Sequence, residues 1–154
     1  MSTIFEKILS GQIPGRFVWK DDQCFAILDI NPVSPGHTLV IPREPIDKWT
    51  DLPDELRSHL FDVAAKIGRA QELAFGVPRS VVVIAGFEVP HAHIHVIPAT
   101  SEESANLGNG GPLDPQVFEE AYQRLTGTLA DQGFEETVLR AVTTPEDATE
   151  PLDI

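Results

Sequence analysis

Cysteine, long apolar runs and positive charge are all scarce in this chain, and each shortage closes off a class of protein. The lone Cys24 cannot form an internal disulfide, which fits a reducing compartment. Val81–Ala85 is as long an uninterrupted apolar run as the chain has, far short of the roughly 20 residues of a membrane helix. The start, Met1-Ser2-Thr3-Ile4-Phe5-Glu6-Lys7, lacks a basic segment followed by an apolar one, so no secretory signal is expected there. Eleven basic residues face 24 acidic ones, a formal net charge of −13. Such a surface repels phosphate backbones, and no basic patch offsets it, which argues against long nucleic acids as partners. A small nucleotide in a local pocket stays possible, because pocket groups outweigh a distant field. The expectation is a cytoplasmic protein with no membrane partner.

What is present reads as one α+β domain of 154 residues, without internal repeats. Thr3 followed by Glu6 forms a capping-box pattern, and Ile4, Phe5, Ile8 and Leu9 then line one face of a short helix that Gly11 can end. Arg16–Lys20 and Gln23–Leu28 read as a β-hairpin turning at Asp21-Asp22. The loop Asn31-Pro-Val-Ser-Pro-Gly36 leads into a strand over His37–Ile41, stopped by Pro42. Asp51, with Pro53 in the first turn, opens the clearest helix, whose Leu56, Leu60, Val63, Ile67, Ala70 and Ala74 recur at helical spacing up to Gly76. Ser80–Ala85 reads as a wholly apolar strand, paired antiparallel with an alternating one over His91–Ile97. Residues 1–100 form the core in this reading. Residues 101–134 add a Gly-rich loop over Asn106–Pro112 and a helix opened by Asp114 and Pro115. Residues 135–154 form an acidic tail, six acids against Arg140, mobile beyond Val142.

The informative stretch is Val89-Pro-His91-Ala-His93-Ile-His95-Val-Ile97-Pro98, which holds three of the five histidines. On a β-strand, residues i, i+2 and i+4 share a face at about 6.5–7 Å spacing. His91, His93 and His95 then form a row, with Ala92, Ile94 and Val96 buried behind. An imidazole with an ordinary pKa of about 6.5 can act as a neutral nucleophile or as a proton donor, and clustered imidazoles depress one another's pKa. Three readings are open on the residues alone. They are structural histidines satisfied by hydrogen bonds, a metal site built on His-x-His with only Glu88 as a nearby carboxylate, and phosphorus chemistry.

His-Ala-His-Ile-His-Val-Ile resembles the signature of the histidine triad (HIT) family. Ser2–Ile13, Asp21–Pro42 and Gly86–Pro98 resemble its Hint-like, nucleoside phosphoramidase-like branch in the same order, covering roughly positions 2 to 98. The resemblance implies a homodimer with about five antiparallel strands per sheet, a purine nucleotide or nucleotide conjugate as ligand, and no cofactor. It implies hydrolysis that frees a nucleoside monophosphate from a leaving group, often an amine. His93 corresponds to the nucleophile that forms a covalent nucleotidyl-histidine. His95 corresponds to the contact with the α-phosphate, His91 to the residue that orients His93 partly through its carbonyl, and His37 to a support from the adjoining strand. Asp29 corresponds to the ribose-binding acid, a carboxylate able to accept both hydroxyls of a cis-diol. Ile4, Phe5, Ile8, Ile27, Leu28 and Ile30 match positions around the base, and Gly86, Glu88 and Val89 flank the phosphate.

The chemistry suits the assignment. Two imidazoles and backbone N–H groups can neutralise phosphoryl charge without a metal. A phosphorus–nitrogen bond to histidine is labile enough to turn over, where a phosphoserine would persist. The chain also departs from the family pattern. Val81-Val-Val-Ile84-Ala-Gly86-Phe87-Glu88 lacks the usual asparagine, and Phe87 and Glu88 replace a polar pair that helps bind the phosphate and leaving group. This points to reduced activity or a different substrate, and leaves a dinucleoside polyphosphate hydrolase or a weakly catalytic nucleotide-binding scaffold as alternatives. Asn109 is a free candidate to approach the site. The Cys-x-x-Cys of a structural zinc in some bacterial relatives falls at Thr3 and Glu6, and a later histidine ligand at Pro45, so no metal is expected. Cys24 then reads as a buried strand residue and His59 as a surface residue without a role.

Overall fold

The computed structural model of the chain describes residues 2–143; the end expected to be mobile lies outside them from residue 144 onward. Five strands form one antiparallel sheet: β1 (Phe17–Lys20), β2 (Cys24–Leu28), β3 (Thr38–Pro42), β4 (Arg79–Val83) and β5 (Ile94–Ala99), in the order β1-β2-β3-β5-β4. The helices are α1 (Ile4–Leu9), α2 (Asp54–Phe75), α3 (Pro115–Leu129) and α4 (Glu135–Thr143). The fold is α+β, as the sequence indicates.

Alternation along the strands sorts the core into two faces. Cys24, Ala26 and Leu28 of β2, Val40 of β3 and Ile94 and Val96 of β5 pack under Leu60, Val63 and Ile67 of α2 and Leu125 and Leu129 of α3. Phe25, Ile27, Leu39 and Ile41 point the other way, where Phe5 and Ile8 of α1 and Ala141 of α4 cover them. His95 has the parity of Leu39, its partner in the register, and so belongs to the α1 face. The α2 face is mainly apolar packing, and the α1 face carries the histidines.

Thr3 caps α1 in a complete capping box with Glu6. Asp51 does not open α2. It sits in a 3₁₀ turn over Trp49–Asp51, and Pro53 is the cap residue with no side-chain hydrogen bond. Gly76, at φ 63°, ends α2 in the left-handed region. Gln71 of α2 is fully buried, and its Nε2 donates to the carbonyls of Gly36 (2.9 Å) and Val96 (2.8 Å). It thereby ties the start of β3 to β5 just behind the histidines.

Two strands differ from their sequence reading. β4 is a half-exposed edge strand, with Val82 47% exposed, because no further strand pairs with its outer side among the described residues. β5 begins at Ile94, so His91 and His93 precede it rather than sharing one strand with His95. The backbone there departs from the sheet. The Ala92 N–H donates to the Ile46 carbonyl (2.7 Å), and the His91 imidazole takes the Pro42 carbonyl (2.7 Å) at the end of β3. Glu135–Thr143, within the expected tail, is a helix that buries Val138 and Ala141 against the body.

Candidate active site

Hydrogen-bond chemistry fixes the tautomers of four histidines, because a carbonyl only accepts and a backbone N–H only donates. His91 Nε2 faces the Pro42 carbonyl at 2.7 Å and must carry the hydrogen, so Nδ1 accepts from the Thr3 hydroxyl at 2.7 Å. His93 Nδ1 lies 2.8 Å from the His91 carbonyl and donates to it. The lone pair of the His93 ring therefore sits on Nε2. On the other side, the Val33 N–H donates to His37 Nδ1 (3.0 Å), which puts the His37 hydrogen on Nε2. That Nε2–H donates to His95 Nδ1 (2.9 Å), leaving His95 with a hydrogen on Nε2. The outcome is an adjacent pair of opposite character, a lone pair on His93 and an N–H on His95, with ring centroids 5.0 Å apart.

Burial keeps the pair neutral. His37 and His91 are fully buried, and His93 and His95 are each only 8% exposed. Desolvation lowers the pKa of all four below the usual imidazole value. For His95, burial and then the neighbouring His93 and His37 push it down to about 4. At His93, burial dominates, while the hydrogen bond to His91 and the carboxylates of Asp29 and Glu88 pull the other way. Phe5 holds His93 from the side, edge-on at 4.8 Å between centroids, and also touches His91 at 5.5 Å.

A cavity of about 470 Å³ opens beside this pair, within the range of small-molecule sites. Of the sequence candidates, His37, His93, His95, Asp29, Phe5, Gly86, Glu88 and Val89 line it. Asp29 Oδ1 accepts the Asn31 N–H (2.8 Å) and Oδ2 stands 3.6 Å from His37 Nε2, so the carboxylate is both turn anchor and cavity wall. The remaining candidates sit elsewhere. His91 lies behind His93, Ile8 and Ile27 are core residues beside Phe5, and Leu28 packs on the α2 face. Ile4 and Ile30 are exposed at 46% and 71%. Asn109 donates to the Glu103 carbonyl (3.2 Å) and is not among the lining residues.

Sequence reasoning missed Leu107 and Gly108, which complete the cavity wall. The signal was in the glycines. A Cβ on Gly110 would collide with the Asn31 carbonyl, and the Gly111 N–H donates to the Pro32 carbonyl (3.3 Å), so this loop lies directly on the Asp29–Pro32 segment. Asp29, His37 and His95 also have ligand atoms within 4.8 Å of one another and could hold a cation, although the His37–His95 hydrogen bond occupies one nitrogen of each ring.

Residues 10–102 match the HIT domain. The chain belongs to the histidine triad family. HIT proteins similar to it include the adenosine 5′-monophosphoramidase HNT1 of Saccharomyces cerevisiae, 35% identical over 117 residues, covering 75% of this chain and 73% of the relative. The adenosine 5′-monophosphoramidase of Schizosaccharomyces pombe is 38% identical over 121 residues, 78% of this chain and 90% of that one. In structure the chain is similar to a zinc-bound histidine triad family protein from Mycobacterium smegmatis, with a TM-score of 0.73 and 30% identity over 86% of this chain and 96% of the other. The HIT signature supplies three of the four clustered histidines: His93 and His95 line the cavity with His37, and His91 backs His93, although only His95 lies in β5. Among the described residues no helix is long and apolar enough to cross a membrane.

Proposed function

We propose that this HIT protein hydrolyses a purine nucleoside phosphoramidate, or a closely related nucleotide conjugate, through a covalent nucleotidyl-His93. The observation that carries the reading is the His93 tautomer. Its Nδ1–H is engaged by the His91 carbonyl, so the Nε2 lone pair is the free one in a ring that burial keeps neutral. Nε2 attacks the α-phosphorus as the phosphorus–nitrogen bond breaks, and the N-protonated leaving group departs as a neutral amine. The His95 Nε2–H donates to a phosphoryl oxygen as charge develops there. Water then attacks phosphorus, gives its proton to solvent, and returns the electron pair to His93 Nε2. Asp29 accepts the ribose hydroxyls, and Phe5, with Leu39 and Leu107, provides an apolar wall. The likeness to two adenosine 5′-monophosphoramidases supports this substrate class.

The deciding experiment is AMP release from adenosine 5′-phosphoramidate with EDTA present. Wild type should turn over, and His93→Ala should lose at least about a thousandfold, the scale of removing a nucleophile. Equal rates in both would overturn the covalent route. A second reading, a nucleotide-binding scaffold with little catalysis, draws on Glu88, whose carboxylate lines the cavity that would take a phosphate. Tight AMP binding without turnover would favour it.

The same reading takes the protein to be a cytoplasmic homodimer. The outer side of β4 supports the dimer, with exposed Val82 beside Phe61 of α2, 38% exposed, around a groove that also includes Gly68 and Ser80.

A further inference from the structure

Away from the histidine cavity, the turn after β1 and the first half of α2 bring three different metal-ligating side chains together. Asp21 Oδ2 lies 2.7 Å from His59 Nε2 and 3.6 Å from Cys24 Sγ, and the three ligand atoms are all within 4.8 Å of one another. We propose that Asp21, Cys24 and His59 form a binding site for a zinc-class divalent cation, which pins the β1–β2 turn to α2.

The donor set is the first argument. One thiol, one imidazole and one carboxylate make a borderline-soft combination that suits zinc and leaves a fourth tetrahedral position for water. Bonds of about 2.0–2.3 Å require ligand atoms roughly 3.3–3.8 Å apart, so the cluster needs only sub-ångström to one-ångström adjustments. The way in is open, since the side chains of His59 and Asp21 are 27% and 20% exposed while Cys24 forms the buried floor.

The second argument is the crowding of one oxygen. Asp21 Oδ2 is approached by three donors at once: Trp19 Nε1 at 2.9 Å, His59 Nε2 and the Cys24 thiol. A carboxylate oxygen offers about two lone-pair sites, so three donors crowd it, the thiol at 3.6 Å. A cation resolves the competition. Cys24 gives up its thiol proton to buffer and the hydrogen on His59 Nε2 shifts to Nδ1. Sγ, Nε2 and Oδ2 then bind the ion together, and one proton is released per ion.

Supporting bonds are already in place. Asp21 Oδ1 accepts the N–H groups of Gln23 and Cys24, both at 2.8 Å, and Trp19 holds Oδ2 from the side, as outer-shell donors orient metal-bound carboxylates. Thiolate and carboxylate together carry −2, which a divalent ion neutralises. Burial, and then the neighbouring Asp21 carboxylate, push the Cys24 thiol well above its ordinary pKa; Arg43, whose Nε donates to the Asp21 carbonyl (2.8 Å), offsets only part of this, so the thiol ionises only as the ion binds. Trp19, Asp21, Cys24 and His59 share no atom with the histidine cavity, so this site is independent of the nucleotide chemistry.

The test is cobalt titration of the full chain after chelator treatment, followed by absorption. One equivalent of Co²⁺ should produce a thiolate-to-cobalt charge-transfer band that Zn²⁺ then bleaches. His59→Gln, checked for fold by circular dichroism, should weaken binding at least about tenfold, and Cys24→Ser should remove the band. The nitrogen and oxygen cluster of Asp29, His37 and His95 has no sulfur, so His95→Asn should leave the band intact. Cobalt binding without a thiolate band, or the same midpoint in His59→Gln as in wild type, would overturn the proposal.

Discussion

The Thr3 hydroxyl stands 2.7 Å from Nδ1 of His91, joining the cap of α1 to the histidine cluster across 88 positions of chain. The same oxygen accepts the Glu6 N–H (3.3 Å), so one side chain both starts the helix and satisfies a fully buried ring. His91 in turn presents its carbonyl to His93 Nδ1. Thr3→Val keeps the volume and removes both bonds. It should cost about 1–3 kcal/mol in urea unfolding, from the lost cap and the unsatisfied His91 nitrogen. On the proposed mechanism it should also lower kcat more than it raises KM, because it disturbs the ring whose carbonyl holds His93 Nδ1. Thr3→Ser should recover most of both. A Thr3→Val enzyme with unchanged kcat would show that His91 is held well enough by Pro42 alone.

The depressed imidazoles make stability depend on pH in a definite direction. In the folded state His95 stays neutral down to about 4, whereas in the unfolded chain it takes a proton near 6.5. Between these values the unfolded state binds more protons, so folding stability falls as pH drops from 6.5 towards 4. Below that, this group contributes no further change. The His95 shift alone is worth up to about 3 kcal/mol across the window. Urea unfolding at pH 7 and pH 4.5 should show the loss in wild type and a shallower one in His95→Asn. Activity should stay level through neutral pH, with its acid limb displaced below the ordinary imidazole range, because burial also holds His93 neutral.

Much of this site could be read in the sequence because its signals are local. Strand parity separated His95 from the buried Ile94 and Val96, the cap box marked Thr3, and Asp114 with Pro115 opened α3. The failures were tertiary. Strict alternation placed His91 and His93 on β5, but the pairing of β3 with β5 ends at Val40–Ile94 and side-chain bonding takes over. His59 looked like a surface residue from its helical position, and it bonds to Asp21, 38 positions earlier, which no periodicity reveals. α4 was hidden by its acidic composition. Among its residues with described burial, Val138 and Ala141 are the buried ones, too few for a periodic signal against Glu135 and Glu136.

Gln71 offers a test of how the α2 face supports the site. Its amide donates to two buried carbonyls and its Oε1 lies 2.8 Å from the Ser80 hydroxyl. Gln71→Leu fills the space, removes the Gln71 amide donor from the Val96 carbonyl and leaves the Gly36 carbonyl with the Thr38 hydroxyl (2.8 Å). The expected cost is about 2–4 kcal/mol, against less than about 0.5 kcal/mol for the exposed control Leu73→Ala. Since Gly36 precedes His37, turnover should fall as well. Equal unfolding midpoints for the two variants would mean that these carbonyls find other partners.

The proposed dimer makes the last prediction. β4 leaves one row of backbone groups without a strand partner among the described residues, and exposed Val82 and Phe61 flank it. Soluble proteins usually guard such an edge with charge or cover it. Here Arg79 marks one end of the strand and Arg69 and Glu72 line the groove, while the exposed Val82 and Phe61 stay apolar between them. If a second copy covers the edge, a Phe61→Glu/Val82→Arg double variant should sediment as a monomer while wild type sediments as a dimer. Both substituted side chains are largely exposed, so the variant should keep the wild-type circular dichroism spectrum. A double variant that still sediments as a dimer would place the interface elsewhere, and a monomeric wild type would remove the dimer from the functional reading.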